Sequence, residues 1–232
     1  MIVCPFQPTL FPSLYVFNRA NQADMFVMMN SAQFCAANKK EDGSKGKTGQ
    51  KHFRVKGVLP TEWLSVPVAK ELQPLRQTPL GTDPTWRDKL MQQLALRYDK
   101  APYWNDIHEG VMDLLRSFYI LGDLNEHTFR WVHKLLDMSC EIVQDYELCG
   151  VTKGNNWVMS MVLTSKATHM ITGKPSLNYL DQHRYKDNNI GIIVQDWTCP
   201  QYQQLGEGFE PNLSILDALF NIGPEATREL IA

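Results

Sequence analysis

The sequence predicts an α/β or α+β domain whose mixed sheet is built from N- and C-terminal strands, with a helical segment between them. Short apolar runs typical of strands occur before residue 70 and again after residue 156. Between these regions, apolar residues recur at helical spacing. The length of 232 residues suits a single domain, 1–232, with a core that needs neither disulfides nor a metal.

Four strands are predicted in the first 70 residues. Residues 2–4 form a short apolar run, and residues 25–29 form a longer one of the kind found in buried strands. Polar and apolar residues alternate in 52–55, which indicates a half-buried strand. Residues 63–68 form the fourth run, and Pro67 places it at a sheet edge or a strand end.

A helix is predicted at residues 14–20, and three more occupy the middle of the chain. Asp83 is a good N-cap residue and Pro84 suits a first helical turn, so the first of these three begins there. The apolar stripes of the three helices comprise Trp86, Leu90, Leu94 and Tyr98, then Ile107, Val111, Leu114, Leu115 and Phe118, then Phe129, Val132, Leu135 and Leu136.

The last third of the chain returns to strands and ends in helices. Gly223 is predicted to end one closing helix and Pro224 to begin the next. The predicted strands are 157–163, 169–171 and 190–194, and the predicted helices are 213–220 and 224–231.

Composition indicates a cytoplasmic protein. Five cysteines are scattered without a C-x-x-C pair, which suits a reducing compartment. The chain begins without the basic and apolar regions of a signal peptide, and no run approaches the 18 apolar residues of a transmembrane helix. We therefore expect cytoplasmic location and no membrane insertion. The oligomeric state is not predicted.

Common enzyme signatures are missing from the sequence. It contains no P-loop, no G-x-G-x-x-G dinucleotide motif, no H-E-x-x-H zinc motif and no G-x-S-x-G nucleophile elbow. No metal ligands are therefore predicted, and the identity of any cofactor is unknown from the sequence.

One segment is strongly basic although the net charge of the chain is −2. Residues 39–57 contain seven Lys or Arg against two acids. Residues 38–51 are also polar and rich in glycine, so a mobile loop is predicted there. Lys47 and Lys51 are candidates to bind phosphate or pyrophosphate, and region 38–57 is a candidate for binding a nucleic-acid backbone. A solvated loop is the alternative.

Polar residues after the first two strands are candidates for substrate binding, because α/β folds bind ligands at the carboxyl ends of strands. Gln7 begins a segment whose two prolines fix the backbone. Asn30 and Gln33 follow the second strand and offer both donors and acceptors. A rigid turn at Gln7 and helix capping by Asn30 are the structural alternatives.

A second set of candidates follows the predicted strand 169–171. Lys174 is suited to neutralising an anionic group, and Tyr179 is a further substrate-binding candidate. His183 is a candidate general base near neutral pH, with Asp181 orienting it or acting itself. An ordinary surface histidine is the alternative.

Ser214 and Asp217 interrupt an apolar run near the C-terminal end. They lie three residues apart and therefore share a helix face. Ser214 is predicted to bind substrate and Asp217 to act in catalysis. The alternative is a capping box, with Ser214 as N-cap and Asp217 at the third helical position.

An ordered set of short motifs runs from residue 7 to residue 226. Together they resemble the WbqC-like protein family. The matching motifs are Gln7-Pro8-Thr9-Leu10-Phe11-Pro12, Ala23-Asp24-Met25-Phe26-Val27, Gln33-Phe34, Trp63-Leu64-Ser65-Val66-Pro67-Val68, Lys100-Ala101-Pro102-Tyr103, Leu124-Asn125, Tyr179-Leu180-Asp181, Pro211-Asn212-Leu213-Ser214-Ile215-Leu216-Asp217, Leu219-Phe220-Asn221 and Gly223-Pro224-Glu225-Ala226.

The resemblance implies a role in bacterial surface-polysaccharide biosynthesis, such as O-antigen sugar formation, or in modifying other activated metabolites. An amino-group or amino-acid transfer suits that setting. The chain departs from the family pattern twice. The basic segment replaces a Lys/Arg-x-x-Trp-x-Asn-Arg stretch, and Asn30 stands where the family has Asp.

Three functions follow as hypotheses. In the first, the protein is a transferase that joins an amine or amino acid to a nucleotide- or pyrophosphate-linked acceptor. One pocket is then lined by Gln7, Gln33, Lys174, Asp181 and Asp217, with Asp181 or His183 as the base and the basic segment on the pyrophosphate. In the second, it is a phage-type transferase that adds an amino acid to an activated base in DNA, with the basic segment on the phosphate backbone. In the third, it binds a sugar or nucleotide without catalysis.

Overall fold

A five-stranded parallel sheet lies at the centre of the structure, a computed structural model that describes residues 1–39, 45–69, 71–152 and 154–232. Two antiparallel hairpins lie outside this sheet. The strands of the described residues are β1 (Ile2–Phe6), β2 (Met25–Met28), β3 (Asn38–Lys39), β4 (Lys45–Gly46), β5 (His52–Val55), β6 (Glu62–Ser65), β7 (Glu141–Gln144), β8 (His169–Gly173) and β9 (Gly191–Gln195).

Helices connect the strands and fill the middle of the chain, which confirms the predicted α/β class. Two short 3-10 helices cover Leu75–Gln77 and Lys174–Asn178. The α-helices are α1 (Leu14–Asn21), α2 (Thr85–Tyr98), α3 (Trp104–Ser117), α4 (Leu121–Leu135), α5 (Asp145–Leu148), α6 (Gly154–Thr164), α7 (Gln182–Asp187) and α8 (Ile215–Leu230).

The strand order of the main sheet is β7-β2-β1-β8-β9, and every pair in it is parallel. The chain leaves β1 toward β2 on one side and later returns to β8 on the other, so the strand order reverses beside β1. In parallel α/β sheets, a crevice for ligands opens at this point, outside the carboxyl ends of the strands. The ends of β1 and β8 therefore mark the region of interest.

Residues adjacent in sequence are buried together in the central strands. Val3 and Cys4 in β1 are fully buried, as are Phe26 and Val27 in β2. Since neighbouring side chains of a strand point to opposite faces, the sheet is covered on both faces. Phe129 of α4 stacks on Phe26 and on Phe17 of α1, with ring centroids 4.4 and 4.9 Å apart. The helical middle segment is thus packed onto the sheet.

Two strand assignments differ from the prediction. Residues 157–163 were expected to be a strand but lie within helix α6. The run is apolar at nearly every position, and such a pattern does not distinguish a buried strand from a buried helix. Strand β7 was not predicted, because only Ile142 and Val143 of its four residues are apolar.

The predicted loop 38–51 contains a short hairpin, because β3 pairs with β4. Residues 40–44 of that loop lie outside the described residues. The break predicted at Gly223 is present: its φ of 77° interrupts α8, as expected for a glycine at a helix end. Within the described part of the chain, no helix is both long and apolar enough to cross a membrane.

Candidate functional site

A cavity of 190 Å³ lies beside the segment that follows β1. It is formed by three parts of the chain that are distant in sequence: residues 9–15, residues 47–63, and the start of the closing helix. The lining side chains that could bind a ligand or take part in a reaction are Tyr15, Lys47, His52, Arg54, Trp63 and Ser214.

Backbone hydrogen bonds hold the three segments together. The amide of Leu10 donates to the carbonyl of Gly49 over 2.8 Å. The amide of Ser214 donates to the carbonyl of Arg54 over 2.9 Å, and that of Ile215 to the carbonyl of Pro12 over 2.8 Å. The cavity is therefore held by fixed backbone contacts rather than by side chains alone.

The cavity is electropositive. Lys47 and Arg54 line it, and Lys51 lies directly before His52. Burial, followed by the charge of Lys47, lowers the pKa of Lys51. Arg54 is paired with Glu210 at 2.5 Å and is 28% exposed, so one acid offsets part of this charge. The cationic side chains of the cavity suit an anionic ligand.

His52 is the titratable group best suited to proton transfer in this cavity. Its Nδ1 lies 2.9 Å from the carbonyl oxygen of Thr48, which can only accept, so Nδ1 carries the hydrogen and Nε2 is free to take a proton. Burial lowers the pKa of His52, and the nearby Lys51 and Lys47 act in the same direction, whereas the Thr48 hydrogen bond opposes them. His52 is therefore neutral at pH 7.

Trp63 provides an aromatic wall for the cavity. It lies on β6, which pairs with β5 so that Arg54 is opposite Trp63. Its side chain is 43% exposed, and its ring meets the His52 ring edge-on at 6.4 Å. An exposed aromatic ring beside cations suits a sugar or base attached to phosphate.

Four residues predicted from sequence lie in or next to this cavity. Lys47 and Ser214 line it. Lys51 precedes His52, and Gln7 is exposed at the carboxyl end of β1, just before the lining segment. The structure therefore brings together the segment after β1, the basic segment and the start of the closing helix.

Ser214 joins the closing helix to the segment after β1. Its hydroxyl donates to the carbonyl of Phe11 over 2.9 Å and accepts from the amide of Leu216 over 3.3 Å. It is the N-cap of α8, as the capping alternative predicted.

Ser214→Ala is expected to lower the free energy of unfolding by about 1–2 kcal/mol, because it removes the cap and leaves the Phe11 carbonyl without a donor. Ser13→Ala is the matched control, since Ser13 is the N-cap of α1 but makes no capping hydrogen bond, and loses only an exposed bond of 3.2 Å to the Asn212 carbonyl. Urea denaturation of both variants measures the difference. Equal losses would contradict the capping role.

Asp217 is not part of the cavity lining. It is fully buried, and its two carboxylate oxygens accept from the hydroxyls of Tyr98 and Tyr202, each over 2.8 Å. The capping box therefore does not form, because the carboxylate is bonded to tyrosines instead. The catalytic role assigned to Asp217 stays a prediction.

The other predicted residues lie in separate places. Asp181 and His183 are exposed and border a depression beside α7, and Tyr179 donates to Ser176 on the surface. Lys174 is exposed and paired with Asp196 at 3.0 Å. The structure thus does not bring Asp181 and His183 to the cavity after β1.

Asn30 and Gln33 lie in the segment that follows β2. Asn30 is buried and donates to Gln144 over 3.0 Å and to Glu126 over 3.2 Å. The Gln33 side chain is exposed, and its backbone carbonyl accepts from Gln50 over 3.4 Å. Neither residue lines the cavity.

Sequence reasoning did not identify His52, Arg54 or Trp63 as site residues. A signal was present: His52 and Arg54 are two apart on a predicted strand, so they share a face, and both lie within the basic segment 39–57. Because they were interpreted as ordinary strand residues, they were not named as site candidates.

Comparisons with known proteins place the chain in a family. An uncharacterized protein of Mycobacterium tuberculosis, Rv1507c, is 29% identical over 187 residues, which cover 75% of this chain and 77% of the relative. No solved structure matches the chain. The profile of the WbqC-like protein family matches residues 7–229, which include every side of the cavity. The chain therefore belongs to the WbqC-like protein family.

Proposed function

We propose that this WbqC-like protein is a transferase that joins an amine or amino acid to an activated acceptor carrying phosphate, such as a nucleotide-linked sugar of surface-polysaccharide biosynthesis. The observation that carries this proposal is the cavity after β1, where Lys47, Arg54 and the neutral imidazole of His52 lie together. Lys47 and Arg54 alone would support only the binding of an anion. The adjacent base, His52, supports a reaction.

The cavity residues supply the chemistry that such a transfer needs. The amine nitrogen attacks the carbon that bears the phosphate or pyrophosphate, the carbon–oxygen bond breaks, and the leaving group departs with the electron pair. His52 takes the proton that the nitrogen loses. Lys47 offsets the charge that develops on the leaving group, with Lys51 and Arg54 nearby.

Two sequence candidates, Asp181 and His183, lie away from the cavity and border the depression beside α7, where they could contact the amine substrate. Asp181 and His183 stay alternative bases if the amine binds beside α7. Asp217 supports the site indirectly, since the helix that it anchors begins at Ser214 in the cavity wall.

A DNA base is the second candidate acceptor. Trp63 is 43% exposed at the cavity, and a flipped base that stacks on it would bring its phosphates toward the basic segment. If DNA is the acceptor, binding of a short duplex should weaken steeply between low and physiological salt. Salt-independent or absent binding would exclude DNA.

A thermal-shift screen tests the proposed function. Nucleotide sugars, pyrophosphate, free amino acids and short DNA duplexes are added separately, because a ligand of the native state raises the melting temperature. The proposal requires a shift with pyrophosphate or a nucleotide sugar. Binding without turnover in the presence of every amine tested would favour the third hypothesis, a non-catalytic binding protein.

Lys47→Ala and Lys51→Ala are expected to weaken binding of the phosphorylated acceptor by about fivefold to a hundredfold each, the effect of losing one charge-assisted contact. Lys89→Ala is the control, because Lys89 is exposed on α2, away from the cavity. Titration calorimetry with the compound found in the screen gives the dissociation constants. Unchanged constants in both variants would remove the basic segment from the site.

A further inference from the structure

Arg19 is a recessed cation beside the carboxyl ends of β8 and β9. It lies on α1 and is 9% exposed. Its Nε donates to Oε1 of Gln195 over 2.9 Å. The amide nitrogen of Gln195 in turn donates to the carbonyl of Tyr15 over 2.8 Å and to Oδ1 of Asn18 over 2.7 Å. These bonds fix the Gln195 oxygen toward Arg19 and hold the guanidinium in one orientation.

The guanidinium has donors to spare. Arginine carries five N–H groups, and among the described residues only Gln195 accepts one from Arg19. No carboxylate in the described part of the chain forms an ion pair with it. Its other neighbours are the rings of Phe6 and Tyr15, each 5.7 Å from the guanidinium carbon. Its unused terminal nitrogens are accessible, because no Arg19 atom is among the enclosed unpaired nitrogens of the described residues. A recessed cation with accessible donors and no counter-charge suits an anionic ligand.

The terminal nitrogens of Arg19 lie at the carboxyl end of β8, beside β1, where the strand order reverses. A Cβ on Gly173, the last residue of β8, would lie 2.6 Å from Nη2 of Arg19. The terminal nitrogens therefore reach the backbone at the carboxyl end of β8, next to β1. Parallel sheets bind ligands in this crevice.

Tyr15 connects this place to the cavity. Its ring lies 5.7 Å from the guanidinium carbon of Arg19, and the same residue lines the cavity with Lys47 and His52. A small molecule held at Arg19 would thus lie next to an acceptor held in the cavity. The cations for phosphate are already in the cavity, which leaves Arg19 for the second substrate.

We propose that Arg19 binds the carboxylate of an amino acid that serves as the amine donor. A guanidinium presents paired N–H groups that match the two oxygens of a carboxylate, and a single positive charge balances a single negative one. Amines without a carboxylate would lack this anchor. The inference rests on the proposed function and narrows its amine class to amino acids.

Titration calorimetry with the twenty amino acids, each compared with its carboxamide, tests the inference in the full chain. At least one amino acid should bind, and its carboxamide should bind at least about tenfold more weakly. Arg19→Gln should abolish this difference, and Arg19→Lys should retain part of it. Arg228→Gln is the matched control, because Arg228 is an exposed partner of Asp137.

Gly173→Ala gives a second test that keeps the guanidinium. Gly173 has a φ of −89°, which alanine adopts without strain, but the added methyl group would displace Nη2 of Arg19. Amino-acid binding should fall by about fivefold or more, the loss of part of a charge-assisted pair. If Arg19→Gln does not fold, Gly173→Ala still tests whether the Arg19 guanidinium binds the amino acid.

Pyrophosphate binding is measured in the same samples. It should be unchanged in Arg19→Gln and Gly173→Ala. Absence of amino-acid binding, equal binding of acid and carboxamide, or loss of pyrophosphate binding in Arg19→Gln would each overturn the inference, and the last would make Arg19 a phosphate ligand. If pyrophosphate and nucleotide sugars do not bind the wild type at all, the proposed function fails instead.

Discussion

Replacing His52 with glutamine is expected to slow amine transfer by about 10²–10⁴-fold, the range typical of losing a general base. His52 lines the cavity, is 8% exposed and is kept neutral by burial. Its Nδ1 donates to the Thr48 carbonyl, which leaves Nε2 to accept the proton of the attacking amine. Glutamine can still donate to that carbonyl but cannot take up a proton. The KM for the acceptor should change little, because the cations remain.

The pH dependence of the transfer separates a base from a merely structural residue. In the wild type, kcat/KM should rise with pH through a pKa below the ordinary 6.5 of histidine and then level off, since only the neutral ring accepts a proton. Lys47→Ala should move this rise to higher pH, because removing a neighbouring cation favours the protonated ring and raises the pKa of His52.

His108→Gln is the matched control for the His52 experiment. His108 also has Nδ1 at 2.9 Å from the carbonyl oxygen four residues earlier, but it borders a groove between α2 and α3. Its replacement should leave the rate and the pH profile unchanged. A His52→Gln enzyme with normal rates would assign the proton transfer to another group, of which Asp181 and His183 are the sequence candidates.

The fold was predictable where local sequence decides it. Continuous apolar runs identify β1, β2 and β8 because these strands have buried residues on both faces, and they identify β9 although it is a half-buried edge strand. The same signal fails for Trp157 to Leu163 of α6, where apolar residues surround the helix, and for β7, whose end residues Glu141 and Gln144 are polar. The parallel strand order depends on which helices cross which face, and no local pattern encodes that.

The site was predictable only in part, for a different reason. Lys47 and Ser214, which line the cavity, were predicted as candidates because their local setting is unusual: one lies in a basic segment and the other in an apolar run. His52 and Trp63 look like ordinary strand residues. Their role depends on long-range bonds, such as that from Leu10 to Gly49, which bring the segment after β1 onto β5. Asp217 attracted attention as a polar residue in an apolar run, and the structure explains it by two tyrosine hydroxyls.

Asp217→Ala is expected to lower the free energy of unfolding by roughly 2–5 kcal/mol, because it leaves the buried Tyr98 hydroxyl and the half-buried Tyr202 hydroxyl without an acceptor. Tyr98 on α2 and Tyr202 before α8 both donate to Asp217. Burial, and then the charge of Asp217, raises the pKa of both tyrosines, which keeps both hydroxyls protonated as donors. The carboxylate thus ties α8 to the rest of the domain.

Urea denaturation measures this loss, and Asp181→Ala is the control. Asp181 is the exposed N-cap of α7 and makes no side-chain capping bond, so its removal should change the stability by no more than about 0.5 kcal/mol. Tyr202→Phe should cost less than Asp217→Ala, because it removes one of the two bonds. Similar losses in Asp181→Ala and Asp217→Ala would contradict the anchoring role.

Asp217→Asn separates the charge from the hydrogen bonds. Burial raises the pKa of Asp217, against the opposing effect of the two tyrosines and Lys56. The native state then holds this proton more tightly than the unfolded chain, whose aspartate pKa is about 3.9. The stability that Asp217 contributes is therefore greatest below that pH and falls as the pH rises through the native pKa. Asparagine does not ionise, so the deficit of Asp217→Asn relative to the wild type should shrink from acidic to neutral pH. A deficit that grows instead would mean that Tyr98, Tyr202 and Lys56 stabilise the ionised carboxylate by more than its burial costs.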